Sequence, residues 1–276
     1  MKLYLSADME GTAGIATWSQ VEPANAAEYP QSQLLMTREV RAAIDGARDA
    51  GATEFLINDS HYRMRNLLWD ELPHDVRMIV GNRKPFSMAQ GAQGFDAAFF
   101  TGYHAAIGTL DGVLDHTYTS ETLYAIRVNG KLCSEAMLNA ALLGLDGVPL
   151  VLITGDRATV DQTRAEMPWV TGVSVKQGIG RYAIDTLSPA VACERIRAGA
   201  VAALRALPSA RPYTFAPPIA LEIDFLQTHN ADFAELIPGV ARTGARTVRY
   251  EHDDYRTVFR TFLAAMRLGA AANAEA

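Results

Sequence analysis

The chain has 276 residues, of which 49% are hydrophobic and 20% charged, with 21 glycines and 12 prolines. This composition is typical of a globular protein and excludes collagen-like, coiled-coil and wholly disordered chains. The 25 Lys and Arg residues against 31 Asp and Glu give a net charge of −6, so no overall basic charge indicates nucleic acid or an anionic membrane as a partner. The length suits one large or two modest domains.

The cysteines and the apolar segments favour a location inside the cell. Cys133 and Cys193 belong to no CxxC pair, which argues against a disulfide framework and fits a reducing compartment. Asp8 interrupts the N-terminus before an apolar region of secretory length forms. The longest apolar stretch, 148–153, is far shorter than the ~20 residues of a membrane helix. We therefore predict a cytoplasmic protein without a membrane partner.

Short apolar runs alternate with segments of helical period, which predicts an α/β fold with a mostly parallel sheet and flanking helices. Apolar residues at helical spacing from Met36 to Ala47 predict a helix that ends before Gly51. An Ala-rich segment predicts a second long helix from Pro189 to about Leu207. The predicted strands are 3–7, 55–57, 76–80, 97–100 and 148–153.

A predicted hairpin interrupts this alternation, with strands at 123–128 and 131–132 around the turn pair Asn129-Gly130. Ser134 then caps a predicted helix that continues through Leu143. Beyond residue 210, strands at 219–225 and 247–250 and helices near Asp232 and over 254–268 predict a smaller α+β unit. We therefore predict an α/β domain over 1–210 and a small α+β domain over 211–276. The small residues of 269–276 predict a frayed tail.

Polar side chains follow three of the predicted strands where each one ends. Asp8 and Glu10 follow the first strand, His61 follows the second, and His104 follows the strand near Thr101. Ligands of open parallel sheets bind at the carboxyl ends of strands, so these side chains are expected at one edge. Carboxylates and imidazoles are ligands that Zn²⁺ or Mn²⁺ prefers. Each residue alone also suits a turn, cap or loop, and only their joint position favours a metal site.

Three other residues have competing explanations. Glu135 suits the first turn of a helix, where an acid interacts favourably with the macrodipole, and His116 suits a solvated loop. Asp59 either orients a ligating imidazole or closes an Asx turn. No GxGxxG follows the first strand, and GK[ST], HExxH and GxSxG are absent, which argues against nucleotide-binding, zincin and serine-hydrolase sites.

A combination of short motifs in this sequence resembles metallopeptidase family M55, the D-aminopeptidase or dipeptide transport protein-like family. SxDxEG, NDSH and GYHA occurring together are far more specific than any one of them. The resemblance extends over nearly the full length. The motifs are Ser6-Ala7-Asp8-Met9-Glu10-Gly11, Asn58-Asp59-Ser60-His61, Pro85-Phe86-Ser87-Met88, Gly102-Tyr103-His104-Ala105, the segment around His116, and Glu135 with Asn139.

The resemblance implies an aminopeptidase with two Zn²⁺ per chain that uses a metal-activated water to remove an N-terminal residue, with a preference for D-amino acids, from short peptides or amides. It also implies a ring-like homo-oligomer. Transferred position by position, the catalytic histidine falls on His116, with the roles of general base, metal ligand and oxyanion stabiliser all open. The zinc ligands implied are Asp8, Glu10, His61, His104 and Glu135.

The chemistry of a site with two metal ions suits an aminopeptidase, and two alternative functions stay open. Two metal ions can hold a bridging water, lower its pKa and polarise a scissile carbonyl. The same ligand types clamp phosphoryl oxygens, so a metal-dependent phosphoesterase is the first alternative. The second is a non-catalytic dipeptide-binding protein that needs no metal. The C-terminal unit of roughly 65 residues would be marginal alone, which also favours a homo-oligomer.

Overall fold

The computed structural model describes residues 1–274. The strands are β1 (Lys2–Ala7), β2 (Glu54–Asp59), β3 (Arg77–Ile79), β4 (Ala97–Tyr103), β5 (Leu123–Val128), β6 (Lys131–Leu132), β7 (Leu150–Asp156), β8 (Thr171–Gly180), β9 (Ala183–Thr186), β10 (Ile219–Phe225), β11 (Ala241–Arg242) and β12 (Thr247–His252). The α-helices are α1 (Trp18–Val21), α2 (Tyr29–Asp49), α3 (Glu135–Gly144), α4 (Arg157–Glu166), α5 (Pro189–Arg205), α6 (Thr228–Ala234) and α7 (Tyr255–Ala272).

The larger sheet has the strand order β3-β2-β1-β4-β7-β8-β9, and every neighbouring pair is parallel except β8 with β9. Helices cover both faces. Leu3 and Leu5 of β1 belong to the core beneath α2 and α5, whereas Tyr4 belongs to the core that contains α3. Because both faces are buried, the central strands are continuously apolar. The expected α/β fold with a mostly parallel sheet and flanking helices is confirmed.

The smaller sheet has the order β11-β12-β10-β5-β6. The predicted hairpin is present, with Asn129 at φ +52° and Gly130 at φ +77° in its turn. Its first strand pairs antiparallel with β10, so this sheet joins segments from before and after residue 210. The division into domains 1–210 and 211–276 stays a prediction.

The structure differs from the sequence prediction in its polar segments and at the C-terminus. The sequence pattern did not predict α4, β8 or β9, because α4 buries only Thr159, Val160 and Thr163 and so has little apolar periodicity. The predicted fraying is wrong for 269–272, since α7 continues through them and Asn230 Nδ2 donates to the Gly269 carbonyl at 2.9 Å. The tail prediction for 275–276 lies outside the described residues. Among residues 1–274, no helix combines the length and apolarity needed to cross a membrane.

Candidate metal centre

Three neighbouring strands end at one edge of the larger sheet, and the candidate ligands follow them. β1 lies between β2 and β4, with Leu5 opposite Ile57 on one side and Phe99 on the other. Along the chain, β2 and β3 extend the sheet on one side of β1, and the later strand β4 is added on the other side. Ligands of open sheets bind where the strand order reverses in this way. The structure therefore brings the polar residues that follow these three strands to a crevice suited to a ligand.

The ligand atoms of these residues lie within a few ångströms of one another. His61 Nδ1 is 2.9 Å from Glu10 Oε2 and 3.4 Å from Asp8 Oδ1. His104 Nε2 is 3.5 Å from Asp8 Oδ2 and 3.3 Å from Glu135 Oε1. All five side chains are buried. The five residues named as zinc ligands thus form one cluster.

His116 and Glu135 reach this cluster from outside the three strands. Glu135 begins α3, directly after the N-cap Ser134, whose side chain accepts from the Met137 N–H. His116 Nε2 lies 3.8 Å from Glu10 Oε1 and 3.9 Å from Glu135 Oε1. The His116 ring stacks on the His104 ring with centroids 3.9 Å apart. Glu135 is therefore a first-turn acid that also reaches the cluster, and the buried His116 is not a solvated loop histidine.

Backbone carbonyls orient all three imidazoles. A carbonyl can only accept, so the ring nitrogen facing it carries the hydrogen, and the other nitrogen of the neutral ring has its lone pair available. In each case that other nitrogen faces the carboxylates, an arrangement typical of metal-binding histidines. The contacts are His61 Nε2 to Val21 O at 2.7 Å, His104 Nδ1 to Ala105 O at 3.1 Å and His116 Nδ1 to Leu114 O at 2.8 Å.

The crowding of three buried acids shifts their protonation. Burial raises the pKa of Asp8 to about 8, and the charge of Glu10 adds to the rise. Burial opposes ionisation of Glu10 too, but the neighbouring His61 holds the pKa of Glu10 well below its usual value. Burial lowers the pKa of the His104 imidazole, but the adjacent Glu135 outweighs it and raises that pKa to about 10. The cluster therefore favours positive charge among its carboxylates.

Two buried atoms of the cluster test whether a metal fits. Within residues 1–274, Asp8 Oδ2 and His104 Nε2 have no hydrogen-bond partner. Such atoms are rare because burying an unpaired polar group is unfavourable, and coordination of a cation would satisfy both. Oxygen and imidazole nitrogen donors are ligands of Zn²⁺. Two overlapping sets have ligand atoms within 4.8 Å of one another: Asp8, Glu10 and His104, and His104, His116 and Glu135.

Two glycines of the sequence motifs allow the ends of β1 and β4 to approach closely. Gly102 has φ +67°, and a Cβ there would lie 2.2 Å from the Asp8 carbonyl oxygen. A Cβ on Gly11 would lie 1.9 Å from the Tyr103 carbonyl oxygen, and the Gly11 N–H donates to the Gly102 carbonyl at 2.8 Å. Larger residues at either position would therefore displace the backbone that carries Asp8 and Glu10.

A buried lysine holds the loop that follows β1. Lys176 of β8 is 3% exposed, and its Nζ donates to the carbonyls of Glu10 at 2.5 Å, Thr12 at 2.8 Å and Ile15 at 2.6 Å. The sequence pattern missed this residue, because a lone lysine in a strand is usually solvent-exposed. Glu39 of α2 holds the same loop by accepting from the Ala13 N–H at 2.8 Å.

Asp59 stabilises the loop after β2. Its carboxylate accepts from the backbone N–H groups of Asn66 and Leu67, at 2.5 and 2.9 Å, and from Asn66 Nδ2 at 2.6 Å. The ring nitrogens of His61 bond instead to Glu10 and to the Val21 carbonyl. Of the two explanations for Asp59, the structure therefore supports the local turn and not direct orientation of the imidazole.

A cavity of about 430 Å³ opens over the cluster and is lined by Asp8, Glu10, His61, His116 and Glu135. Trp18 of α1 and Tyr118 also line it, and the sequence pattern identified neither. The Trp18 ring lies edge-on to His116 with centroids 5.2 Å apart, and the Tyr118 N–H donates to Glu135 Oε1 at 2.5 Å. Trp18 begins the four-residue helix α1 and Tyr118 lies in a loop; neither segment is long enough or regular enough to give a periodic signal, so only the folded chain identifies them.

Comparisons with known proteins identify the family of this chain. A family model described as "Peptidase_M55: D-aminopeptidase" matches residues 1–264. The chain is 34% identical over 268 residues to a D-aminopeptidase of Bacillus subtilis (strain 168), covering 95% of this chain and 96% of that protein. It is also similar to a solved structure described as the Zn-dependent D-aminopeptidase DppA from Bacillus subtilis, a self-compartmentalizing protease. That match has a TM-score of 0.94 and 33% identity and covers 98% of each chain. The resemblance read from the motifs is thereby confirmed, and the chain belongs to the Peptidase_M55 D-aminopeptidase family.

Proposed function

We propose that this protein is a zinc-dependent aminopeptidase that releases an N-terminal residue, preferentially of D configuration, from short peptides. The observation that carries the proposal is the buried cluster of three carboxylates and three imidazoles, of which all but His104 line the cavity. The D-aminopeptidase of Bacillus subtilis and the Zn-dependent DppA support both the reaction and the preference for D-residues. These relatives favour a peptidase over a phosphoesterase.

In this proposal Asp8, Glu10, His61, His104 and Glu135 hold two Zn²⁺ ions per chain. Asp8 and Glu10 lie near both His61 and His104, and Glu135 lies near His104, so neighbouring ions could share ligands. Bound zinc lowers the pKa of water and polarises a carbonyl group.

His116 has the geometry of a general base. Because its Nδ1–H donates to the Leu114 carbonyl, Nε2 of the neutral ring carries a lone pair. Nε2 can accept a proton from the attacking water and then deliver it to the departing amine nitrogen. A neutral ring in this tautomer has no Nε2–H to offer an oxyanion. The tautomer therefore disfavours the oxyanion role, whereas the base and the metal ligand both use this lone pair; we propose the base, and the zinc content of His116→Gln separates the two.

Metal content and turnover of a D-alanyl amide test the proposal in wild type, His104→Ala and His116→Gln. We expect about two zinc ions per wild-type chain, less zinc in His104→Ala, and wild-type zinc in His116→Gln. The His116→Gln variant should lose roughly 10²–10⁴-fold in kcat, as expected when a general base is removed. An L-alanyl amide serves as the stereochemical control.

Three results would contradict the proposal. A wild-type protein that binds no zinc on incubation would leave the cluster without its proposed ion. Hydrolysis of a phosphate ester but of no peptide would select the phosphoesterase. Tight, stoichiometric dipeptide binding by the metal-free protein without product would select the binding protein.

Assembly into a ring-like homo-oligomer is also proposed, since DppA is described as self-compartmentalizing. Light scattering at micromolar concentration should give a mass several times the 29.9 kDa of one chain. A monomeric mass would contradict this proposal. The cytoplasmic location stays a prediction.

A further inference from the structure

We propose that Arg267, assisted by Arg63, binds the C-terminal carboxylate of the peptide substrate, so that the enzyme prefers a free carboxyl end to a blocked one. The inference rests on the proposed function, which places the substrate's amino end at the metal centre.

The two arginines reach the cavity of the metal centre from different elements. Arg267 belongs to the C-terminal half of α7, where Met266 and Ala270 also line the cavity. Arg63 lies in the loop after β2, two residues beyond His61, and lines the same cavity. Both side chains are exposed, so they belong to its open part and not to its buried floor.

Neither arginine has a carboxylate partner among residues 1–274. The ion pairs of this part of the chain use other arginines, such as Arg127, Arg181 and Arg256. Burial lowers the pKa of Arg267, and the charge of nearby Arg83 lowers it further. The Arg63 guanidinium lies 5.7 Å from the centre of the Tyr62 ring, a stacking contact that leaves its N–H donors free. Neither guanidinium is thus neutralised by a salt bridge within residues 1–274, which favours an anionic ligand.

A short peptide provides the matching anion at the required end. The proposed function places its amino end at the metal centre, so its carboxylate points toward the opening. Extended residues advance roughly 3.5 Å each, so two or three residues span about 7–11 Å. A cavity of about 430 Å³ suits so small a molecule. Glu22 and Glu121 also line the cavity and would repel a carboxylate, whereas the lining residues Arg63 and Arg267 would attract one.

The test compares a D-alanyl dipeptide with its C-terminal amide, using zinc-loaded enzyme and the ratio of the two kcat/KM values. Wild type should favour the free acid by roughly tenfold, as expected for a charge-assisted hydrogen bond. Arg267→Met should bring the ratio close to one. Arg267→Lys should give an intermediate ratio, because lysine keeps the charge but not the bidentate geometry. Arg260→Met is the matched control, since Arg260 is exposed on the same helix and does not line the cavity.

The outcomes separate this inference from the proposed function. A wild-type ratio near one, with both substrates hydrolysed, would overturn the carboxylate site and leave the aminopeptidase intact. A ratio that stays high in Arg267→Met and in the Arg63→Met/Arg267→Met double variant would also overturn it. If Arg260→Met lowered the ratio of kcat/KM values as much as Arg267→Met, the effect would be one of net charge, and the inference would again be overturned. Hydrolysis of neither substrate would refute the aminopeptidase itself and with it this inference.

Discussion

The ammonium group of Lys176 is the contact we expect to matter most for the loop that carries Glu10. Replacing Lys176 with methionine keeps a side chain of similar length but removes all three N–H donors. The carbonyls of Glu10, Thr12 and Ile15 then lose their partner in a buried place. We expect both lower stability and weaker zinc binding.

The magnitude follows from those three hydrogen bonds. Each buried acceptor left without its donor costs about 1–3 kcal/mol. Part of this loss is offset because methionine, unlike lysine, buries no charge. The expected net loss is about 3–5 kcal/mol, a large part of the ~5–15 kcal/mol that stabilises a typical domain. Zinc affinity should fall by roughly 10–100-fold, as for other residues that hold metal ligands in place without binding the metal themselves.

Urea unfolding and zinc titration against a competing chelator measure the two effects separately. Lys131→Met is the control, because Lys131 is half exposed and pairs with Glu166 at the surface. Its loss should be at most about 1 kcal/mol and should leave zinc affinity unchanged. If Lys176→Met matched Lys131→Met in both measurements, the proposed support of the Glu10 loop would be wrong.

Three further predictions concern protonation, backbone geometry and the metal. Burial raises the pKa of Glu39 to about 7 from 4.5, so the folded state binds its proton more tightly than the unfolded state. The stability that this proton contributes is fully present below pH 4.5 and is lost as the pH rises through 7. The free energy of unfolding of wild type, measured by urea unfolding, should therefore fall by about 3 kcal/mol relative to that of Glu39→Gln between pH 5 and 8. Gly102→Ala should destabilise by about 3 kcal/mol or more and reduce bound zinc, because its Cβ meets the Asp8 carbonyl. Gly94 also has a positive φ but has open space around it, so Gly94→Ala should lose only about 1–2 kcal/mol of stability. Thermal melts of the two variants measure the difference. Chelation should lower the Tm, since ligand at 100 times its Kd adds about 2.7 kcal/mol of stability; an unchanged Tm would argue against a metal bound by the folded state.

Local pattern was enough to predict five of the seven strands of the larger sheet and four of the clustered residues. Continuous apolar runs such as 97–100 indicate strands covered on both faces, and parallel strands place their carboxyl ends at one edge. That geometry follows from backbone periodicity alone. It therefore located Asp8, Glu10, His61 and His104 near one another before any contact was known.

The remaining features depend on which distant segments meet. Glu135 is a sound first-turn acid by local criteria, and only the packing of α3 brings it within 3.3 Å of His104. The β5–β6 hairpin has the same local pattern whichever sheet it joins, and its pairing with β10 decides the smaller sheet. Lys176 would be unstable in the interior without the three carbonyls that the β1 loop brings to it. Sequence periodicity encodes backbone conformation and burial, whereas these contacts join residues up to 166 positions apart and exist only when the whole chain has folded.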